Sequence, residues 1–274
     1  MRPARSRSLR DLLRVDPGGR VDLSGIDPGE THGHAKEASA VELTDGLDRL
    51  TDLQDRLWAE QKHPVLIVLQ GIDAAGKDGS IKHVMSAFNP MGCTVTSFKV
   101  PTPVELAHDY LWRVHQRTPG KGEIAIFNRS HYEDVLVVRV HDIVPKAVWS
   151  RRFEQINAFE ELLASSGMTI VKLFLWIDRE EQRERFQARL DDPAKRWKFR
   201  LGDLDERKRW DDYVAAFEDV LSRCSTEAAP WYVIPSNKKW FRNLAIANIL
   251  ADTLDELDPQ YPPSEEDLTN VTVQ

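Results

Sequence analysis

The chain is short of cysteine, of long apolar runs and of positive charge. Its 274 residues include two cysteines, Cys93 and Cys224, far apart in sequence. That pair excludes a disulfide framework and the spacing of a structural zinc site, and reads as two buried thiols in a reducing compartment. The longest aliphatic stretch, "PVLIVLQG" (64–71), is far too short to span a bilayer. Charges interrupt every apolar run of the basic N-terminus "MRPARSRSLRDLLRV" before a signal-peptide core forms. These features predict a soluble cytoplasmic protein with no membrane partner. The formal charge of −7 argues against a nucleic-acid partner, because such proteins are usually basic overall. Core-forming residues are plentiful: 41% of the chain is hydrophobic, enough to fill one large α/β domain or two small ones.

Gly, Pro and Asp clusters ("DPGGR", "DPGETHGH") mark residues 1–37 as an irregular arm, in which His32 and His34 read as surface loop histidines. A helical spacing follows over 37–61. Short apolar runs then alternate with periodic segments. The runs cover 65–71, 93–100, 123–128, 169–177 and 231–235, and the helical stretches 79–88, 104–117, 146–165, 179–190 and 205–223. Runs that are apolar at successive positions suit strands covered on both faces, so the order predicts an α/β fold with a parallel sheet between helices. The domain is placed at 38–258, and 259–274 reads as a polar, Pro-rich tail.

"QGIDAAGKDGS" (70–80) follows the first strand and opens a helix, the setting in which backbone N–H groups and a helix start face an anion. The phosphate-binding residues are assigned as Gly71, Ala74, Ala75, Gly76, Lys77, Asp78 and Gly79, with Lys77 as a point charge on the outer phosphates. The usual G-x-x-x-x-G-K pattern continues with Ser or Thr, whose hydroxyl binds Mg²⁺; here Asp78 stands there. Ser80 lies two residues on, rotated to the far side of the helix start, and does not replace it. Asp78 suits the helix dipole. Asp73 lies inside the loop, where an Asx-turn and a metal contact are both open to it.

The partner strand, "EIAIFNRSHYEDVLVVRVH" (123–141), ends in Asn128 where such sites usually place a magnesium-binding Asp. An amide oxygen can still take part, with Asp73, Glu133 and Asp134 nearby to restore charge. Ser130 and Glu133 match a capping box. Arg129, just past the strand end, suits a phosphate clamp. The segment 183–210 holds ten Lys/Arg against six Asp/Glu, with Pro193 breaking its helical pattern. Arg189, Lys195, Arg196 and Lys198 are its candidates for a basic lid over a polyanion. Asp109 and Arg113 are spaced as a helical ion pair, on a helix that on a phosphate-loop kinase scaffold would face an acceptor nucleotide.

Taken together, "GIDAAGKDGSIKHV" (71–84), the "FNP…GC…VTSFKVPTP…ELAHDYLWR" segment (88–113), "IFNRSHYEDVLVVRVH" (126–141), "DDPAKRWKF" (191–199) and "PWYVIP" (230–235) resemble the polyphosphate kinase 2 enzymes, over roughly residues 20–260. The resemblance is nearest to the subgroup that phosphorylates both AMP and ADP. It implies a P-loop kinase three-layer sandwich: a five-stranded parallel sheet flanked by helices, with a helical basic lid. It implies transfer from inorganic polyphosphate to AMP and ADP, giving ADP and ATP, with Mg²⁺ or Mn²⁺, in a homo-oligomer (tetramer or dimer). By motif match Asp73, Lys77, Asn128 and Arg129 are the catalytic candidates, with Asp73 and Asn128 at the metal. Lys99, Asp109, Arg113, Glu133, Asp134 and Arg139 are the acceptor-nucleotide candidates. Asn128 and Glu133 match the positions that separate the subgroups. The competing readings are an ATP-dependent nucleoside monophosphate kinase and a non-catalytic module that binds polyphosphate or nucleotide.

Overall fold

The computed structural model describes residues 8–264, 266 and 271–273. Residues 1–7 of the expected arm, and 265, 267–270 and 274 of the expected tail, lie outside the described residues. Five strands, β1 (Val65–Gln70), β2 (Cys93–Ser97), β3 (Ile124–Asn128), β4 (Thr169–Trp176) and β5 (Trp231–Pro235), form one all-parallel sheet in the order β2-β3-β1-β4-β5. The central strand β1 is buried along its whole length, which is why it reads as an unbroken apolar run; the edge strand β2 is half exposed and carries Thr and Ser.

In chain order the helices are α1 (Leu9–Leu13), α2 (Lys36–Glu60), α3 (Lys77–His83), α4 (Pro103–Leu106), α5 (Trp112–His115), α6 (Val137–Val140), α7 (Lys146–Ser165), α8 (Arg179–Asp191), α9 (Gly202–Lys208), α10 (Trp210–Cys224) and α11 (Lys239–Leu257). The long helices α2 and α11 pack along each other, with α1 and α3 against α11. α7 and α10 pack together with α6, and β4 touches both α7 and α11. The sheet is thus the middle of three layers. The helix after β1 and the helix after β3 lie on opposite faces, so the neighbouring ends of β1 and β3 form a switch point, where open α/β sheets bind ligands.

Several expected elements differ. The predicted arm includes helix α1, capped by a Ser8–Asp11 box, and Leu9, Leu13, Val15 and Leu23 from this region are buried in the core. The predicted 104–117 helix is two single turns, α4 and α5, because the Asp109 side chain accepts from the Leu111 amide and interrupts the backbone ladder. The predicted 79–88 helix starts earlier, at Lys77, and gives way to a 3₁₀ turn at Met85–Ala87. The 205–223 helix is split between α9 and α10.

The core holds one charged group in the sheet itself. Lys172, on β4, is fully buried, and its Nζ donates to Glu160 Oε2 at 2.5 Å, to the Cys224 carbonyl at 2.6 Å and to the Tyr132 hydroxyl at 2.9 Å. Burial opposes the Glu160 charge, but the Lys172 ammonium and the His131 hydrogen bond hold its carboxyl below the usual range. Three hydrogen bonds and a paired charge are what a buried lysine needs.

Candidate active site

The phosphate loop turns between β1 and α3, and its backbone is left-handed at Ala74 (φ 69) and Gly76 (φ 115). Gly76 is required by its φ, which excludes most side chains, and a Cβ there would also displace the end of the Arg242 side chain. Lys77 is 9% exposed and its Nζ donates to the Gly71 carbonyl at 2.6 Å, so the ammonium curls back over the loop. Burial, and then the charge of Arg129, pulls Lys77 down to about 8, while Asp73, Glu133 and Asp78 pull the other way. Ser80 is buried and its hydroxyl donates to the Gly76 carbonyl at 3.2 Å, within the helix start, as its rotation from the loop predicts.

β3 supplies the opposite wall. Arg129 also sits in left-handed backbone (φ 63), a conformation an L-residue keeps only where its surroundings enforce it. Its Nη2 donates to Asp73 Oδ1 at 2.6 Å and its Nη1 to Glu133 Oε2 at 3.2 Å. Burial opposes its charge, but the two carboxylates hold it firmly protonated. Arg129 therefore ties the strand end to the loop, and Glu133 serves this pair. The capping box expected for Glu133 does not form. Ser130 accepts instead from the Tyr132 amide, starting a 3₁₀ turn, while the Gln70 side chain donates to the Ser130 hydroxyl.

Two more residues of the same segment reach the carboxylate paired with the buried lysine: His131 Nε2 lies 3.1 Å from Glu160, and Tyr132 OH donates to the same carboxylate at 2.8 Å. The turn that displays Arg129 thus rests on a fixed polar core.

Asp78 has a definite contact. Asn128 Nδ2 donates to its Oδ1 at 3.0 Å, and Lys198 Nζ lies 3.8 Å from its Oδ2. Asp78 joins the β3 end to the basic segment 183–210. This amide orientation leaves the Asn128 oxygen free of Asp78. Of the four lid candidates, Lys198 is the one that reaches the loop. Arg189 lies over the Phe186 ring, Lys195 pairs with Asp192 at 2.6 Å, and the Arg196 Nε donates to the Leu190 carbonyl.

The six acceptor candidates converge only in part: Arg113 reaches the Lys99 backbone, and the Asp134 carboxyl feels the charges of Arg113 and Glu133. Glu133 lines a crevice with Gly71, Asp73, Arg129, Gln182 and Tyr213. Asp134 pairs with Arg152 at 2.7 Å, and burial raises its carboxyl pKa. Arg139 pairs with Asp219 and lies over Trp149, on α7. Arg113 does not pair with Asp109: it is buried, donates to the Lys99 carbonyl at 2.8 Å and lies over Phe98. Asp109 and Lys99 are exposed. The i,i+4 pairing fails because the backbone between them is not one continuous helix.

The structure also assigns work to residues that sequence reasoning missed. Arg185, on α8, is 8% exposed and donates to the carbonyls of Ala74, Ala75 and Ser236. The Gln182 amide donates to the Asp73 carbonyl at 3.0 Å. Both hold the loop's carbonyls against α8 and so fix the course of its backbone. Gln182 and Arg185 share a helix face by their i,i+3 spacing, a signal hidden in a helix that is mostly charged.

Among the described residues no three His, Cys, Asp or Glu side chains gather as a metal cluster. Asp73 and Asn128 offer hard oxygen donors at neighbouring strand ends, a donor set that would fit a Mg²⁺-type ion.

A phosphate loop at the switch point of a parallel sheet, tied to a strand-end arginine and approached by Lys198 of a basic segment, is the arrangement of a phosphoryl-transferring kinase of the P-loop class. A family model for Polyphosphate kinase 2 (PPK2) matches residues 33–262. The chain belongs to the polyphosphate kinase 2 family. It is 52% identical to the AMP/ADP-polyphosphate phosphotransferase of Meiothermus ruber, over 95% of this chain and 98% of that protein. It is 44% identical to the ADP-polyphosphate phosphotransferase of Rhodopseudomonas palustris, over 91% of each. The crystal structure of polyphosphate kinase 2 from Arthrobacter aurescens TC1 superposes with a TM-score of 0.92 at 42% identity, over 96% of this chain and 94% of that one. These findings match the expected P-loop kinase fold and its five-stranded parallel sheet.

Proposed function

We propose that this chain transfers terminal phosphoryl groups from inorganic polyphosphate to AMP and to ADP, giving ADP and ATP, in a reversible reaction. The observation that carries the reading is the strand-end Arg129, tied at 2.6 Å to Asp73 of the loop that also holds the buried Lys77. In-line phosphoryl transfer asks a protein mainly for positioning and charge stabilisation. Lys77 and the loop amides hold the donor's terminal phosphates. Arg129, fixed by Asp73 and Glu133, clamps the group in transit, and Lys198 brings the lid to the loop. No strong base is needed, because the acceptor phosphate is already ionised near neutral pH. Mg²⁺ or Mn²⁺ would be held by Asp73 and Asn128 with substrate oxygens, and when bound supplies charge neutralisation between donor and acceptor.

The relative from Meiothermus ruber, matched over nearly its full length, supports both acceptors. Among the described residues no helix is long and apolar enough to cross a membrane. We place the chain in the cytoplasm, as a homo-oligomer without membrane or nucleic-acid partners.

The test is incubation with Mg²⁺, long-chain polyphosphate and AMP, with products followed by chromatography. ADP followed by ATP is expected. ADP formed from ATP plus AMP, with polyphosphate inert, would make the chain a nucleoside monophosphate kinase. Polyphosphate binding without turnover would make it a non-catalytic module.

A further inference from the structure

One cation of the basic segment faces inward, towards the support of the phosphate loop. Arg207, on α9, is half-buried, and its Nη1 donates to the Arg179 carbonyl at 2.6 Å and to Gln182 Oε1 at 2.9 Å. Gln182 is 1% exposed, and its Nε2 donates to the Asp73 carbonyl at 3.0 Å. A side-chain amide can be turned either way round, whereas an arginine only donates. Arg207 therefore holds the oxygen of Gln182 and leaves its NH₂ to face the loop. From Asp73 the line continues through the side chain, whose Oδ1 accepts from Arg129 Nη2 at 2.6 Å. Hydrogen bonds thus join α9 to the strand-end arginine by way of α8 and the loop.

α9 has seven residues, none of them buried, so other contacts must hold Arg207 in place. Its neighbour Glu206 supplies them. Glu206 Oε2 accepts from the Tyr213 hydroxyl, on α10, at 2.7 Å, and His141 Nε2, just past α6, lies 3.0 Å from the same oxygen. Burial, and then the bond to Glu206, raises the Tyr213 hydroxyl well above its ordinary range, so it remains a donor. Arg209 adds a donation from its Nη1 to the Val140 carbonyl at 2.9 Å, and α10 packs on α6. Glu206 and Gln182 line the crevice that also holds Asp73, Arg129 and Glu133. α9 is therefore made fast to α6 and α10 through Glu206 and Arg209, and presents Arg207 to α8.

We propose that Arg207 and Gln182 are positioning residues for Arg129. Arg207 sets the orientation of the Gln182 amide, Gln182 fixes the main chain at Asp73, and Asp73 aims the arginine that clamps the group in transit. Glu206, with Tyr213 and His141, keeps Arg207 in register. The inference rests on the phosphoryl-transfer reading above and adds which residues set its clamp. A positioned arginine acts on the charge that develops during transfer, so its misplacement lowers kcat and leaves KM nearly as it was.

The experiment compares wild type, Arg207→Met, Arg207→Lys, Gln182→Ala and the double variant Arg207→Met/Gln182→Ala, with Mg²⁺, long-chain polyphosphate and AMP. Urea denaturation of each shows that it is folded. In Arg207→Met kcat falls about ten-fold, the scale of a small displacement remote from the chemistry. KM for AMP and for polyphosphate stays within about two-fold. Arg207→Lys recovers most of the loss, because a single nitrogen makes both contacts and an ammonium can donate to the same two oxygens. The double variant loses no more than the worse single one, as for residues acting in series. The two Arg207 variants, at a half-buried position, carry the test even if Gln182→Ala does not fold. An unchanged kcat in folded Arg207→Met, a loss confined to KM, or an Arg207→Lys as slow as Arg207→Met would overturn the positioning role and leave the function standing. Additive losses in the double variant would do the same. Wild type that makes no ADP from polyphosphate and AMP would overturn the functional reading, and the inference with it.

Discussion

Replacing Lys77 with methionine should make the protein more stable at neutral pH while removing its activity. The ammonium is held in a buried place that lowers it from 10.5 to about 8. Keeping it charged at pH 7 therefore costs about 3 kcal/mol of folding free energy. Methionine has a similar unbranched shape and carries no charge, but it loses the bond to the Gly71 carbonyl, which costs about 1 kcal/mol. The net gain is about 2 kcal/mol at pH 7, or a rise of roughly 4–8 °C in Tm for a chain of this size. The pH dependence identifies the cause. Between pH 8 and 10.5 the unfolded lysine holds a proton that the folded one has lost, so wild-type stability rises with pH there. The advantage of Lys77→Met shrinks over that window and reverses near pH 10, by about the value of the lost hydrogen bond. Urea titrations of both proteins at pH 7, 9 and 10.5 read this directly, and transfer from polyphosphate is lost throughout. A variant less stable than wild type at pH 7, or a stability difference that does not move with pH, would refute the reasoning.

Lys172→Met strands the Glu160 carboxylate in the core and should cost about 3–5 kcal/mol in urea denaturation. Adding Glu160→Met should recover most of that loss, and additive losses would show that the two do not act as a pair. The wild-type Glu160 carboxyl lies below its ordinary range, so its contribution is present at neutral pH and is lost as pH falls through the folded value; Lys172→Met should abolish that part of the acid sensitivity. Gly76→Ala, at φ 115 and against Arg242, should lower stability by about 1–3 kcal/mol and abolish transfer; near-normal turnover would mean that the loop tolerates a side chain there. Asp73→Asn should raise the Mg²⁺ concentration giving half-maximal rate by about ten-fold or more, and an unchanged metal requirement would remove Asp73 from the metal.

The apolar run at 65–70 reads as a covered strand, and the loop glycines with Lys77 read as an anion site because they follow it. Local periodicity and turn chemistry act over a few residues and remain visible in one dimension. The Asp109–Arg113 spacing misled for the same reason: it assumes an unbroken helix, and the Asp109 side chain breaks it by capping Leu111.

The sequence by itself determined the fold class, the strand runs and the composition of the loop, because each depends on residues near one another in the chain. The tertiary structure decided which groups share a charge. Arg129 joins Asp73 across 56 positions, Asn128 joins Asp78 across 50, and Arg185 reaches the loop carbonyls across 110 and 111. Those partners are set by the order in which parallel strands lie side by side, with β3 next to β1 although β2 comes between them in sequence. Pairing of buried charge depends on distances through space, and no spacing along the chain records them.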